Sequence, residues 1–157
     1  MSVRHKNLYL FDTAQKSGVK DFGKFNNYGY KGLYNGETAE NIAKRKGLDE
    51  NEEILDWMGS TELATNIFRI AQTDEKLKND KINNENDAYD THYIVGKTIR
   101  ETIKKLGGTM PEDLPTPEKS IQELEMDELL KIKGGNHISE KNYSLFHSII
   151  LKKFTKI

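Results

Sequence analysis

From Ala88 to Leu106 the apolar side chains return every three or four residues: Ala88, Val95, Ile99, Ile103 and Leu106 share one face with His92, and Gly107-Gly108 follow at once. That period belongs to an α-helix, because a strand would alternate every second residue. Leu63, Ala64, Ile67, Phe68, Ile70, Ala71 and Leu77 repeat the helical pattern upstream. No stretch shows a defensible strand period. The expected fold class is therefore all-α, a compact multi-helix domain over residues 1–157 with a Gly/Tyr-rich loop and a Pro-rich link before two C-terminal helices. A chain of 157 residues can bury a core without crosslinks. Its 35% apolar and 31% charged content suits helices that each keep one wet face.

Local signals place the boundaries. Residues 9–17 predict a short first helix stopped at Gly18, and residues 20–27 a second, with Phe22 and Phe25 on one side. Residues 26–36 hold three Gly and three Asn beyond the helix start and predict a turn. Glu37 or Thr38 opens a helix that Gly47 closes after three cations. Residues 49–58 predict another helix, with acids in its first turn. Ser60 or Thr61 caps a helix running to about residue 78, its stripe of Leu63 to Leu77 facing the core. A polar link at 79–87 divides the expected domain into subregions 1–80 and 88–157. All three prolines lie between 109 and 117, which forces an extended or turning path. Thr116-Pro117 reads as a cap and first helical residue, leading a helix that buries Ile121, Leu124, Leu129 or Leu130, with Ile132 a further candidate, and stops at Gly134-Gly135. Ser139 starts a last helix carrying Tyr143, Phe146, Ile149, Ile150 and Phe154.

The chemistry-bearing motifs fail on context. With no cysteine there is no disulfide, thiolate zinc site or thiol nucleophile. Gly96-Lys97-Thr98 ends like a phosphate-binding loop, but Thr91 stands where that loop needs glycine, and the site lies inside a helix. Asp87 and Asp90-x-His92 resemble metal ligands, yet a single His on an apolar helix face reads as a packed core residue. The expectation is a protein without metal or cofactor and not an enzyme. The N-terminus lacks a secretory apolar core and no run reaches membrane-spanning length, so a cytoplasmic setting is expected.

Nucleic-acid binding has two readings. Tyr28, Tyr30 and Tyr34 could stack on bases while Lys24, Lys31, Lys44, Arg45 and Lys46 meet phosphates, and Gly29-Tyr30-Lys31-Gly32 matches a backbone clamp of RNA-binding modules. The alternative is a loop that packs its tyrosines on neighbouring helices. Residues 38–55 could also form a helix-turn-helix, although its second helix would open with Asp49, Glu50, Glu52 and Glu53, which phosphate repels. The charge partition bears on this: residues 1–48 and 129–157 are net basic, whereas 49–128 holds 20 Asp/Glu against 9 Lys/Arg.

Several irregular stretches resemble the bacterial and phage DNA-damage-inducible protein D family. They are Gly29-Tyr30-Lys31-Gly32-Leu33-Tyr34, Arg45-Lys46-Gly47-Leu48, Met58-Gly59-Ser60-Thr61-Glu62-Leu63-Ala64, and above all Leu106-Gly-Gly-Thr-Met-Pro-Glu-Asp-Leu-Pro-Thr-Pro117. The resemblance begins near Phe22 and fades near Met126. It implies a stand-alone counterpart of the family's second half, with a role in the DNA-damage (SOS) response. It also implies action on a RecA-type recombinase or its DNA filament, and it supplies no catalytic residues. Two further partners are open: a host defence complex blocked by a phage-encoded inhibitor, and nucleic acid itself. The stiff segment with Thr109, Met110, Glu112, Asp113 and Leu114 is the expected partner contact, or else a braced link between helices. Oligomeric state is not legible.

Overall fold

Glycine spacing, apolar period and capping residues together build six α-helices, and no strand, among residues 3–133, the part of the chain that the computed structural model describes. The chain divides into two units, Met1–Pro117 and Glu118–Ile157. The polar link at 79–87 thus lies inside the first unit.

Helix α1 spans Val3–Lys16, starting well before residue 9, and buries Leu10, Thr13 and Ala14. Gly18 stops it at φ 94°, a conformation favoured only for glycine. Helix α2 spans Phe22–Leu33, and the Asp21 carboxylate caps it by accepting from the Lys24 N–H at 3.0 Å. This corrects the expected Gly/Tyr loop. Gly29 and Gly32 are helical because their missing side chains let α2 lie directly on α5, which spans Glu85–Lys105. A Cβ on Gly32 would sit 2.3 Å from the Tyr93 carbonyl oxygen, and one on Gly96 2.6 Å from that of Gly29. Backbone packs on backbone. The helix penalty of about 1 kcal/mol per glycine is accepted at that contact. The turn itself is confined to Asn35 and Gly36, both at positive φ.

Helix α3, Ala39–Arg45, begins with a reciprocal Thr38–Asn41 capping box and ends before Gly47 at φ 72°. The helix expected over residues 49–58 shrinks to a single 3-10 turn, Ile54–Trp57. Asp49 folds its carboxylate onto the Asn51 N–H, a turn that competes with helix, and Glu53 is extended. A helix-turn-helix therefore lacks its second helix.

Helix α4 spans Ser60–Asn79 and packs against α1 and α5. Thr13 of α1 donates a hydrogen bond to Asp74 of α4. Two apolar clusters fill the first unit. One gathers Leu10, Ala14, Val19, Phe25, Ile70, Leu77, Ala88 and Tyr89; the other gathers Tyr30, Leu33, Tyr34, Ile42, Met58, Val95 and Ile99. Helix α5 buries Ala88, His92, Val95 and Ile99 as its period predicts, but Leu106 is 80% exposed. Leu106 is the C-cap of α5, and Gly107, at φ 71°, turns the chain immediately after it.

The Pro-rich segment contains a 3-10 turn, Pro111–Asp113. In the second unit α6 spans Ile121–Lys133, capped by Ser120 through the Glu123 N–H rather than by Thr116. Of its apolar residues only Met126 is buried, while Leu124, Leu129 and above all Ile132 are exposed, against expectation. The expected stop at Gly134-Gly135 and the last helix from Ser139 lie outside the described residues.

Candidate functional site

The inward face of α4 is polar. Glu62, Asn66, Arg69 and Thr73 lie within it, each no more than 1% exposed, alongside Ile70 and Leu77. The expected stripe is therefore rotated: Ala64 and Phe68 face solvent, and Phe68 is 54% exposed. Polar atoms can occupy an interior only when they satisfy one another, and these do. The Lys46 ammonium pairs with Glu62 at 2.8 Å, both side chains buried, and donates to the Trp57 carbonyl at 3.1 Å. It also donates to the Thr116 hydroxyl at 3.4 Å.

Tyr34 donates to the other Glu62 oxygen at 2.6 Å and accepts from the Asn66 amide at 2.9 Å. Asn66 Oδ1 in turn accepts from Arg69 Nε and Nη2 at 3.3 and 3.2 Å. Arg69 Nη1 stands 2.6 Å from His92 Nε2, and His92 Nδ1 stands 2.9 Å from the Phe25 carbonyl. Guanidinium can only donate, so Nε2 accepts and the imidazole carries its proton on Nδ1, donating to Phe25. The Arg69 guanidinium also lies over the Tyr30 ring, 4.6 Å from its centre. Thr73 donates to the Arg69 carbonyl at 2.7 Å. Among the described residues no buried side-chain nitrogen or oxygen lacks a partner.

This chain from Lys46 to the Phe25 carbonyl bridges the two apolar clusters, touching Phe25 in one and Tyr30, Tyr34 and Met58 in the other. Glu62 pairs with Lys46, so the Arg69 charge is left to neutral acceptors, Asn66 and His92, and to the Tyr30 ring. Burial, and then the Arg69 charge, push His92 well below the ordinary histidine range. Burial, and then the Glu62 charge, push the Tyr34 hydroxyl up; burial likewise raises Tyr30 and lowers Arg69.

The residues expected to bind nucleic acid divide. Tyr30, Tyr34 and Lys46 belong to this buried chain, so base stacking and phosphate contact are closed to them in this fold. Lys31, Lys44 and Arg45 stay exposed. Lys31 lies 5.8 Å from the Tyr28 ring centre, Lys44 pairs with Glu40 at 3.1 Å, and Arg45 pairs with Glu37 at 3.0 Å. Tyr28 stacks on Tyr89 with centroids 5.0 Å apart, so its face is already covered.

The expected partner segment is braced from below. Both Glu112 oxygens accept from Arg100, each at 2.7 Å, and Arg100 also donates to the Leu33 carbonyl at 3.2 Å. Burial alone would raise the Glu112 carboxyl, but the Arg100 hydrogen bonds and charge bring it below the usual range. The clamp leaves Thr109 and Asp113 exposed and Met110 and Leu114 half-buried.

Sequence reasoning missed Glu62, Asn66, Arg69 and Thr73. The signal was present: their spacing is itself helical. Arg69 is also one of four arginines beside 20 lysines, and an isolated guanidinium in a lysine-rich chain points to a place where a planar fork is needed. No cluster of three or more His, Cys, Asp or Glu among the described residues could hold a metal. No described helix is long and apolar enough to cross a membrane.

Comparison with known proteins fits this arrangement into a family. The family model of the DinD C-terminal domain matches residues 1–124, reaching back to residue 1 rather than to Phe22. The DNA damage-inducible protein D of Escherichia coli strain K12 is 52% identical over 126 residues, which cover 78% of this chain and 46% of that protein. The chain thus spans about half the length of the curated relative it matches. No solved structure matches it.

Proposed function

The chain belongs to the DinD C-terminal domain family, and on that premise we propose that it acts in the DNA-damage response as a non-enzymatic binding protein that engages a RecA-type recombinase or its filament on DNA. The observation that carries this reading is the 52% identity to a DNA damage-inducible protein D. Two structural features support it. The polar groups of Lys46, Glu62, Asn66, Arg69 and His92 are buried and bonded to one another, which fits a scaffold for surfaces better than a reaction centre. The segment from Thr109 to Leu114, within the longest stretch of the family resemblance, is held by the Arg100–Glu112 clamp and offers a preformed acidic and apolar contact. An acidic surface of this kind competes for recombinase surfaces that otherwise meet DNA.

The test is a pull-down of the host recombinase on the immobilised chain, with and without single-stranded DNA. Association in at least one state, weakened by Asp113→Lys with Leu114→Ala, supports the reading. No association in either state overturns it.

A further inference from the structure

Helix α2 carries no acid: from Phe22 through Gly36 the only charged side chains are Lys24 and Lys31. Both stand on the edge of α2 that meets α5. Lys24 Nζ lies 5.2 Å from the centre of the Tyr89 ring and Lys31 Nζ 5.8 Å from that of Tyr28, and these two rings stack on each other 5.0 Å apart. Further along the same seam, where the α5 backbone adjoins Gly32, come Tyr93, 38% exposed, and the exposed Lys97. Lys24, Lys31 and Lys97 make no ion pair among the described residues, whereas Lys16, Lys44, Lys46, Lys76, Lys78 and Lys119 each do. Of the nearby carboxylates, Asp21 is engaged as the cap of α2, and Glu85 accepts from the Tyr89 hydroxyl at 3.3 Å. Asp90 lies about 100° round α5 from Tyr89, and Glu101 one turn past Lys97, so they mark the edges of the strip.

We infer that this seam binds a single strand of nucleic acid, with phosphates on Lys24, Lys31 and Lys97 and a base stacked on Tyr93. Three ammonium groups without counter-ions along one line select a polyanion. The ring selects which one. Tyr93 touches no other ring among the described residues, and Ile94 beside it is 51% exposed. A base offers a flat π-face that stacks on tyrosine whatever the sequence, and an acidic protein segment offers carboxylates with no such face. A duplex keeps its bases stacked inside, so the exposed ring favours an unpaired strand. The Tyr28–Tyr89 pair has a different part. Closed to bases itself, it holds the two α2 lysines at the seam through cation–π contacts.

The length of the strip sets the strength. Lys24 and Lys31 are about 10 Å apart along α2, and Tyr89 and Lys97 about 12 Å apart along α5. One phosphate per lysine makes about three contacts, which gives a salt slope of about −2 for a single strand. Binding is therefore weak, on the order of ten micromolar at low salt, and tolerant of sequence. The strip stops short of Arg100, whose guanidinium is clamped to Glu112. The basic seam and the acidic segment are thus separate surfaces. The inference deepens the proposed function, whose filament carries such a strand, and takes from that reading only the strand's source.

Fluorescence anisotropy of a labelled oligothymidylate of about 15 nucleotides, titrated with the whole chain, tests this inference. The expected affinity falls more than tenfold from about 50 to about 200 mM salt. Lys31→Ala with Lys97→Ala should weaken binding at least tenfold at low salt and flatten the salt slope, with an unchanged circular dichroism spectrum. Tyr93→Ala should weaken it about fivefold or more, and Tyr93→Phe should restore it, because the ring and not the hydroxyl stacks. Lys44→Ala, whose ammonium is already paired with Glu40, should change nothing. No binding at low salt overturns the inference, as does binding that the seam variants leave intact, which would place the strand elsewhere on the chain. Displacement by polyglutamate as readily as by unlabelled oligothymidylate also overturns it, because the lysines would then serve an acidic protein. Recombinase association measured without DNA should survive all these variants, so either reading can fail while the other stands.

Discussion

Helices α4 and α5 are of nearly equal length, pack side by side and obey opposite rules. Helix α5 turns its apolar stripe inward and thins it to glycine where α2 crosses, so it is held by side chains that repel water and by a backbone without side chains. Helix α4 turns Glu62, Asn66, Arg69 and Thr73 inward and leaves Phe68 outside. Both arrangements bury a helix face. The difference is what each tolerates: an apolar face is forgiving in direction, whereas a polar one is stable only as a complete set.

Breaking the set should therefore have the largest effect. Glu62→Ala leaves the Lys46 ammonium buried without its counter-ion and should destabilise the fold by roughly 3–5 kcal/mol in urea denaturation. Combining it with Lys46→Met should recover at least about half of that loss, because the stranded charge goes too. If the double variant is no better than the single, Coulomb pairing is not what holds these residues.

The glycine contact should come next. Gly32→Ala would place its methyl against the Tyr93 carbonyl and the Lys97 amide nitrogen, which are backbone and cannot step aside, at a cost of about 3 kcal/mol. Gly23→Ala, on the same helix but meeting only Asp21 Oδ1 at 3.5 Å, should be neutral or stabilising by up to about 1 kcal/mol. Equal losses at both positions would mean that helix propensity, not close approach, explains the glycines.

Acid sharpens the contrast further. His92 is held neutral when folded and takes up its proton near the ordinary value of 6.5 when unfolded. The unfolded state then binds more protons below about pH 6.5, so its contribution is complete above that pH and is lost as pH falls toward the depressed folded value. The slope reaches at most about 1.4 kcal/mol per pH unit, and His92→Gln should flatten it. The smallest effect belongs to the clamp outside the set. Glu112→Gln should cost about 1 kcal/mol or less, given its partial exposure, and should raise hydrogen exchange around residues 109–114 while leaving α4 protected.

The all-helical class, the body and C-terminal end of α5, the stop at Gly47 and the packed role of His92 were legible in the sequence, because each rests on a local period or a stop signal; α5 itself begins at Glu85, inside the expected polar link. The inward face of α4 was not. An apolar-period search scores Glu62 and Arg69 as solvent residues, and only partners distant in sequence, Tyr34, Lys46 and His92, reverse that score. Gly29 and Gly32 misled for the same reason, since glycine's helix penalty is local and the contact with Gly96 is not. Of the residues expected to bind nucleic acid, the aromatic ones proved to be parts of the interior. Those of the Pro-rich segment were placed on a braced surface by the clamp from Arg100, which their own sequence could not announce.

The measurement closest to the central claim is the protonation of His92 by long-range proton–nitrogen NMR on the whole chain. The buried chain of hydrogen bonds requires an imidazole that stays neutral under mildly acidic conditions with its proton on Nδ1, toward the Phe25 carbonyl, and Nε2 bare toward Arg69. That tautomer, unchanged as pH falls through 6.5, is the predicted result. An imidazole that titrates near 6.5, or carries its proton on Nε2, would contradict the polar interior at its centre.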